Sequence, residues 1–378
     1  MKRNKLIMVV NEDRFFLSHR KDIALGAQKE GYDVSIVCKD TGQFDEVKAL
    51  GLKVYHLPIN PTGMNMKEEM KTMRFLYKFY KLHKPDIVHH VGLKNIMWGG
   101  VAAKYAKVPC VVNAVSGLGV LFNGIKPSTT AKGVMHIMAF SNRGKNVAEI
   151  FQNSEDKSLF IKHKVIPESQ CVFIKGSGVS LDEYCYTEEP SEGKIKVMFT
   201  ARMVKEKGMI TLIDAAEQLR EKYQDKVEFI LCGGLSNNPN GIKKHELEAM
   251  CDGVYIKWLG HRKDVLRLLK QCHIVAFPSY YREGVPRSLI EACAVGRPIV
   301  TCDSIGCKDV VTDGENGFLI QPQDHFALAE RLSQLIENKE LRQSMGRKGR
   351  LVAENEFSVN RVVEKHLEIY RNLLAKKK

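Results

Sequence analysis

Short aliphatic runs alternate with longer amphipathic segments through most of the chain. This alternation is the pattern of parallel strands covered on both faces by helices. In the first half it predicts one helix over Phe16–Lys29 and another over Glu68–His83. The strands predicted for the first half are Lys5–Val10, Val34–Cys38, Val54–Leu57, Ile87–His90, Val111–Ala114 and Val172–Ile174. A doubly wound α/β sheet is therefore expected there.

A second series of the same kind follows Thr187–Lys194, a stretch rich in Glu, Pro, Ser and Gly that is typical of a linker. Its predicted strands are Lys196–Thr200, Val227–Cys232, Tyr255–Leu259, Ile274–Phe277, Pro298–Thr301 and Gly317–Ile320. Because 378 residues exceed what one core supports, we expect two Rossmann-like domains, 1–186 and 187–357. The last helix, in 358–378, is expected to pack back on the first domain. Ligands of such sheets bind at the carboxyl ends of the strands, so the cleft between the domains is the expected site.

Composition narrows the class of protein. The chain is 44% hydrophobic and 27% charged, as in an ordinary globular protein. Its ten cysteines include no C-x-x-C pair, which argues against a zinc site or a disulfide framework and favours reduced thiols in a cytoplasm. No apolar run approaches about 20 residues, and the N-terminus lacks a signal-peptide pattern. The protein is expected neither to be secreted nor to span a bilayer.

The net charge of +14 lies mostly in the first half of the chain. Residues 1–180 hold 27 Lys and Arg against 15 Asp and Glu, whereas the remainder holds 31 against 29. A basic half suits nucleic acid or an anionic membrane. Since no RNA-recognition signature or C2H2 spacing accompanies the lysines, we expect an anionic lipid surface or lipid diphosphate rather than nucleic acid. Plain solubility remains an alternative.

The segment Pro278–Pro298, PSYYREGVPRSLIEACAVGRP, carries the clearest chemistry. A helix is predicted to open at Pro286, where proline suits the first helical turn. The backbone N–H groups of Gly284 and Val285, with the positive end of the helix dipole, would then receive a diphosphate. Glu283 and Glu291 would grip hydroxyls at either end of the same ligand. By spacing alone, the two glutamates are more simply a turn residue and a solvated helix residue.

The motif PSYYREGxPRSLxEA closely resembles the donor-binding signature of glycosyltransferase family 4, whose GT-B fold pairs two Rossmann-like domains. The resemblance covers nearly the whole chain. It implies that Glu283 approaches the transferred sugar and that Glu291 binds the ribose hydroxyls. It also identifies Arg202 and Lys207, in MFTARMVKEKG, as the diphosphate clamp. Two fixed cations would stabilise a leaving nucleoside diphosphate without a metal, and the chain contains no D-x-D, so neither metal nor cofactor is expected.

The acceptor side is predicted from a narrower similarity, to bacterial enzymes that extend undecaprenyl-diphosphate-linked glycans. His19 and Arg20 match a polar pair that those enzymes have at the start of the first helix. Ser116 stands where many family members have a histidine, so the role of that histidine cannot be transferred. His90 and Lys94 are candidates to compensate, although a histidine at a strand end is more often structural.

The resulting prediction is a retaining, metal-independent glycosyltransferase. It would move a hexose or N-acetylhexosamine from a UDP-sugar to a glycan acceptor, expected to be linked to undecaprenyl diphosphate, in synthesis of a surface polysaccharide or glycoprotein glycan. Its predicted location is cytoplasmic, at the inner face of the cytoplasmic membrane. A nucleotide-sugar 2-epimerase and a non-catalytic sugar-nucleotide binder remain as alternatives.

Overall fold

The computed structural model describes residues 3–61, 65–122, 128–236 and 241–376. The chain divides into two compact units. The first comprises Met1–Ser177 and Val359–Lys378, and the second comprises Gly178–Ser358. Each is built on its own parallel sheet, which confirms the prediction of two doubly wound α/β domains.

The first unit holds a seven-stranded parallel sheet. Its strands are β1 (Lys5–Glu12), β2 (Asp33–Lys39), β3 (Lys53–His56), β4 (Ile87–Val91), β5 (Cys110–Val115), β6 (Val147–Phe151) and β7 (Cys171–Phe173). They lie in the order β3-β2-β1-β4-β5-β6-β7, so the order reverses between β1 and β4. The sequence pattern missed β6, because Glu149 interrupts its apolar run.

Helices cover both faces of this sheet. They are α1 (Asp13–His19), α2 (Lys21–Lys29), α3 (Phe44–Ala49), α4 (Met66–His83), a π-helical turn (Asn95–Gly99) that continues into α5 (Gly100–Ala106), α6 (Thr129–Ser141) and α7 (Ser154–Lys162). Strand residues alternate between two apolar cores, with Ile7 and Val9 in one and Leu6 and Met8 in the other. Burial on both faces explains why the strands are almost continuously apolar.

The single helix predicted over Phe16–Lys29 is wrong, because the chain breaks at Arg20 between α1 and α2. Arg20 has φ −132° and ψ −9°, outside the helical region. Its guanidinium enters the interior and donates to the hydroxyl of Ser116. The amphipathic pattern continues across the break, so periodicity alone did not reveal it.

The second unit contains a six-stranded parallel sheet. Its strands are β8 (Ile195–Thr200), β9 (Val227–Cys232), β10 (Ile256–Trp258), β11 (Ile274–Phe277), β12 (Ile299–Cys302) and β13 (Gly317–Ile320). They lie in the order β10-β9-β8-β11-β12-β13, which reverses between β8 and β11. Its helices are α8 (Met209–Tyr223), α9 (Lys244–Ala249), α10 (Val265–Lys270), α11 (Arg287–Val295), α12 (His325–Glu337) and α13 (Lys339–Glu356).

The boundary between the units lies at 177/178, earlier than the predicted 186/187. The predicted linker is part of the second unit, because buried arginines hold it there. Arg297 donates to the carbonyl and hydroxyl oxygens of Thr187, at 2.7 and 2.9 Å. Arg342 forms a buried ion pair with Glu189, and both side chains are at most 6% exposed. The polar composition of this stretch therefore supplies partners for buried cations.

The last helix, α14 (Val359–Lys376), belongs to the first unit. Its Tyr370 hydroxyl lies 2.7 Å from Nδ1 of His89 on β4. Gly26 of α2 allows the close approach, since a Cβ there would lie 2.4 Å from Cγ1 of Val363. The helix thus completes one apolar layer of the first unit.

Candidate active site

Two loops flank the reversal of strand order in the second unit. One follows β8 and carries Arg202 and Lys207, and the other follows β11 and carries Glu283. Both leave the carboxyl ends of adjacent strands. In open α/β sheets this switch point is where ligands bind.

Lys207 and Glu283 meet between these loops. The ammonium group forms an ion pair with Oε1 of Glu283, and the two side chains are 15% and 13% exposed. The hydroxyl of Ser279 also donates to Oε1, at 3.3 Å. The rings of Phe277 and Tyr281 lie 5.5 and 5.3 Å from the ammonium nitrogen. The carboxyl edge of the second sheet thus holds the Lys207 cation and the Glu283 carboxylate in a mostly buried position, where electrostatic interactions are stronger than in water.

Two glycines permit the close packing of these loops. Gly208 follows Lys207 with φ +84°, and a Cβ there would lie 2.0 Å from the carbonyl oxygen of Pro278. Gly306 has φ +87°, and its Cβ would lie 1.8 Å from the carbonyl oxygen of Gly284. Both positions therefore require glycine on steric and conformational grounds. The positions of Lys207 and Glu283 depend on this packing.

Helix α11 begins at Arg287, one residue after the predicted start. Pro286 precedes it as the cap, because its ψ of 122° is extended although its φ of −64° would suit a helix. Gly284, Val285 and Pro286 are all buried. The predicted diphosphate-binding amides therefore belong to the loop that leads into α11.

Glu291 lies on α11 and is 8% exposed, which is less than expected of a solvated helix residue. Its Oε1 accepts hydrogen bonds from Nε of Arg287, at 2.7 Å, and from the hydroxyl of Tyr184, at 3.0 Å. Although burial opposes it, the charge of Glu291 raises the pKa of Arg287. Burial, followed by that same charge, raises the pKa of Tyr184, so its hydroxyl stays a donor. Glu291 is thereby fixed in one orientation.

Arg202 differs from these residues in being exposed. No hydrogen bond or ion pair joins its side chain to another residue in the described part of the chain. It lies on the same loop as Lys207, within a few residues of the end of β8. Its guanidinium is therefore available to an anionic ligand.

The first unit brings together two of the predicted acceptor-side residues. Nη2 of Arg20 donates to Oγ of Ser116 at 3.0 Å, across 96 residues of sequence. Burial lowers the pKa of Arg20 to about 10, so it remains charged at neutral pH. His19 lies beside Arg20 but stacks on Phe15, with ring centroids 4.2 Å apart.

His90 is held within the first unit by hydrogen bonds at both ring nitrogens, and its acceptor-side role stays a prediction. It is fully buried, and Nδ1 donates to Oδ1 of Asn113 at 3.0 Å. Nε2 lies 2.9 Å from the hydroxyl of Tyr80, which donates to it. Burial lowers the pKa of His90 to about 4 and keeps the ring neutral. Asn113 in turn donates to the carboxylate of Glu149, so His90 belongs to a buried hydrogen-bond network.

Lys94, another predicted acceptor-side residue, is also bound to residues of the first unit. Its ammonium donates to Oε1 of Glu69, at 2.6 Å, and to the carbonyl oxygen of Asn60, at 2.7 Å. Glu69 is itself only 7% exposed. A largely buried ion pair of this kind fixes α4 against the segment that follows β4.

Sequence reasoning missed Ser279, Tyr281 and Tyr184. Ser279 and Tyr281 lie inside the quoted PSYYREG motif, so their place near Glu283 was a detectable signal. Tyr184 is 107 residues from Glu291 and had no such signal.

In the described ranges, no group of three or more His, Cys, Asp and Glu residues is arranged to hold a metal ion. No helix among those residues is long and apolar enough to cross a membrane.

Two sequence families match this chain. Residues 5–153 match the family described as Glycosyl transferase 4-like. Residues 187–352 match Glycosyl transferases group 1. The two matches fall in the first and second units, respectively.

Characterised relatives are similar over nearly their whole length. N,N'-diacetylbacillosaminyl-diphospho-undecaprenol alpha-1,3-N-acetylgalactosaminyltransferase from Campylobacter jejuni is 26% identical, covering 95% of this chain and 98% of the relative. UDP-Gal:alpha-D-GlcNAc-diphosphoundecaprenol alpha-1,3-galactosyltransferase from Escherichia coli is 25% identical, covering 92% and 91%. The crystal structure of Anabaena Alr3699/HepE in complex with UDP has a TM-score of 0.77 at 18% identity, covering 98% of this chain and 100% of that one. At that identity the structural likeness concerns the fold.

Proposed function

The chain is a glycosyltransferase of the GT-B fold, with a glycosyl transferase 4-like domain and a glycosyl transferases group 1 domain, and on this premise we propose the reaction it catalyses. It transfers a hexose or N-acetylhexosamine from a UDP-sugar to a glycan carried on undecaprenyl diphosphate. The anomeric configuration is retained, and no metal ion takes part.

The observation that carries this proposal is the Lys207–Glu283 ion pair at the switch point of the second sheet. Without donor, each group neutralises the other. When a UDP-sugar binds, its diphosphate replaces Glu283 as the partner of Lys207, and the exposed Arg202 adds a planar, two-pronged contact. Glu283 is then released towards the sugar.

Charge development explains why two cations serve in place of a metal. As the bond between the anomeric carbon and the diphosphate breaks, negative charge grows on the leaving group, and fixed cations stabilise it. The acceptor hydroxyl attacks on the face that the diphosphate leaves, and a donor phosphate oxygen takes its proton. This step requires no side-chain nucleophile.

Glu291 is proposed to bind the ribose hydroxyls of the donor. Both of its hydrogen bonds to described residues end on Oε1, which leaves Oε2 to accept from a ligand. Because Arg287 and Tyr184 fix the carboxylate, little conformational freedom is lost when the nucleotide binds.

The names of the relatives support the choice of acceptor. The Campylobacter jejuni enzyme acts on a diphospho-undecaprenol-linked sugar, and the Escherichia coli enzyme acts on a diphosphoundecaprenol-linked sugar with UDP-Gal as donor. The similarity covers at least 91% of each relative. A lipid-linked acceptor would place this enzyme in synthesis of a surface polysaccharide or a glycoprotein glycan.

A basic stripe on α4 supports the proposal that the enzyme contacts the anionic inner face of the cytoplasmic membrane. Lys67, Lys71, Arg74, Lys78 and Lys81 are all exposed and recur every three or four residues, which places them on one side of the helix. Leu82, next to Lys81 at the end of this stripe, is 77% exposed. A helix with this face can lie against anionic headgroups.

The test measures UDP release from a panel of UDP-sugars, with and without an undecaprenyl-diphosphate-linked sugar. Glu283→Gln and Lys207→Ala should each reduce acceptor-dependent release by about 10² or more. Lys205→Ala is the matched control, because Lys205 is an exposed cation on the same turn. Activity should survive EDTA, and the product should keep the donor's anomeric configuration by NMR.

The alternative outcomes are distinct. Unchanged activity of Glu283→Gln would contradict the proposed site. Interconversion of UDP-N-acetylhexosamines without an acceptor would identify a 2-epimerase. Saturable donor binding with no turnover across the panel would identify a sugar-nucleotide binder.

A further inference from the structure

Arg20 is a buried cation without an anionic partner among the residues that the structure describes. It lies between α1 and α2 and is 3% exposed. Nη1 donates to the carbonyl oxygen of His19 at 3.0 Å, and Nη2 donates to Oγ of Ser116 at 3.0 Å. No carboxylate among the described residues forms an ion pair with it. The ring of Phe15 lies 5.9 Å from Cζ, and Tyr370 and His89 also interact electrostatically with the guanidinium.

The guanidinium also has spare hydrogen-bonding capacity. A guanidinium carries five N–H groups, of which two donate to described residues, which leaves three without a described partner. One of the three is Nε–H, which is buried and has no partner in the described chain. Buried charges are ordinarily paired, because leaving water is costly unless an opposite charge compensates. Arg20 therefore stands out as a cation whose counter-charge is not supplied by any described residue.

A second unsatisfied polar atom lies in the same region. Nε2 of His89 is buried and has no hydrogen-bond partner in the described part of the chain, while Nδ1 faces the hydroxyl of Tyr370. Burial, followed by the charges of His366 and Arg20, lowers the pKa of His89 well below its usual range. His89 is therefore neutral and cannot be the counterion of Arg20 or add a competing positive charge at neutral pH.

The position in the fold favours a ligand. The order of the first sheet reverses between β1 and β4, so its switch point lies at the carboxyl ends of these strands. After the carboxyl end of β1 the chain forms α1, and Arg20 is the residue that follows this helix. Ser116 directly follows the carboxyl end of β5. The chain thus brings a cation and a hydroxyl from two loops to the edge where such sheets bind ligands.

We propose that Arg20 and Ser116 form an anion-recognition site that binds a phosphate group, namely the diphosphate of the lipid-linked acceptor. Naming the acceptor rests on the proposed function, whereas phosphate recognition does not. The planar guanidinium matches phosphate oxygens, and the Ser116 hydroxyl supplies a further donor. Arg20 and Ser116 belong to the first unit, whereas the proposed donor residues Arg202 and Lys207 belong to the second.

The first arm of the test measures binding without any acceptor. The protein is saturated with UDP to fill the donor site, and inorganic pyrophosphate is then titrated while thermal unfolding is followed. Wild type and Arg14→Gln should show a pyrophosphate-dependent rise in Tm, since Arg14 is an exposed cation on α1. Arg20→Gln should show no rise and Ser116→Ala a reduced one. A rise in Arg20→Gln equal to that of wild type would overturn the site.

The second arm separates recognition from a structural role. Removing an uncompensated buried charge should leave the unliganded Tm of Arg20→Gln equal to or above that of wild type. The KM for the lipid-linked acceptor should rise about 10-fold or more, as expected for a lost charge-assisted hydrogen bond. The KM for the UDP-sugar should stay within about twofold. A fall in Tm with an unchanged acceptor KM would make Arg20 structural, and a rise in the donor KM alone would assign the anion to the donor.

Discussion

Replacing Glu149 with glutamine should remove from the first unit one loss of stability that sets in as the pH rises from about 5 to 8. Glu149 lies in the middle of β6, fully buried. The amides of Asn113 and Asn142 both donate to its Oε2, at 3.0 and 3.1 Å, while Oε1 is buried without a described partner. Burial raises the pKa of Glu149 from 4.5 to about 7, against the opposing effect of the two amides.

The sign of the effect follows from this raised pKa. Because the folded protein holds the proton more tightly than the unfolded chain, the stabilisation is complete below pH 4.5 and is lost as the pH rises to about 7. The gap from 4.5 to about 7 corresponds to about 3 kcal/mol, at about 1.36 kcal/mol for each tenfold change in proton affinity. Glutamine keeps an oxygen that accepts from the two asparagines but does not ionise, so this loss disappears.

Urea titrations at several pH values measure the effect, with hydrogen exchange of β5 peptides used to report on the first unit alone. Glu149→Gln should gain about 2.5 kcal/mol relative to wild type between pH 5 and pH 8, because part of the full difference is already lost at pH 5. Glu46→Gln, an exposed change in the same unit, should follow the wild-type profile. If the wild-type and Glu149→Gln profiles stay parallel across this range, the burial argument is refuted.

Two further changes test the packing of the donor site and the basic face of α4. Gly208→Ala should destabilise the second unit by about 1–3 kcal/mol and reduce transfer, because both its φ of +84° and the neighbouring carbonyl oppose a Cβ. Gly253→Ala is its control in urea titrations: it has a similar φ of +74° but open space around it, so it should cost less. Reversing charge at Lys71 and Lys78, both to glutamate, should abolish binding to sedimented vesicles that contain anionic lipid. Vesicles of neutral lipid should bind neither protein, and unchanged binding of the variant to anionic vesicles would exclude α4 as the contact.

Most strands were predictable because their signal is local. Val227–Cys232, Ile274–Phe277 and Gly317–Ile320 begin and end where the aliphatic runs do. β6 was missed because Glu149 is a charged residue inside a buried strand, and its partners Asn113 and Asn142 come from elsewhere in the chain. A buried polar group is accommodated by tertiary contacts, which periodicity does not display.

The candidate site was predictable as a set of residues but not as an arrangement. The motif placed Glu283 and Lys207 in two loops, yet their ion pair joins positions 76 residues apart. His90 and Lys94 occupy strand-end positions like those of ligand-binding residues. Their partners, Tyr80 and Glu69, lie on α4 and direct both side chains inward. Which of two neighbouring polar residues faces a ligand is decided by such long-range contacts.

The position of α14 has a consequence for the order in which the enzyme folds during synthesis. The second unit, Gly178–Ser358, is contiguous, so all of its residues are synthesised before α14. The first unit begins earlier but must wait for Val359–Lys376, whose Tyr370 contacts His89 in the middle of the sheet. Although domains generally fold in the order of their synthesis, here the unit that starts first is finished last. A released chain that ends at Ser358 should therefore contain a folded second unit and an incomplete first one.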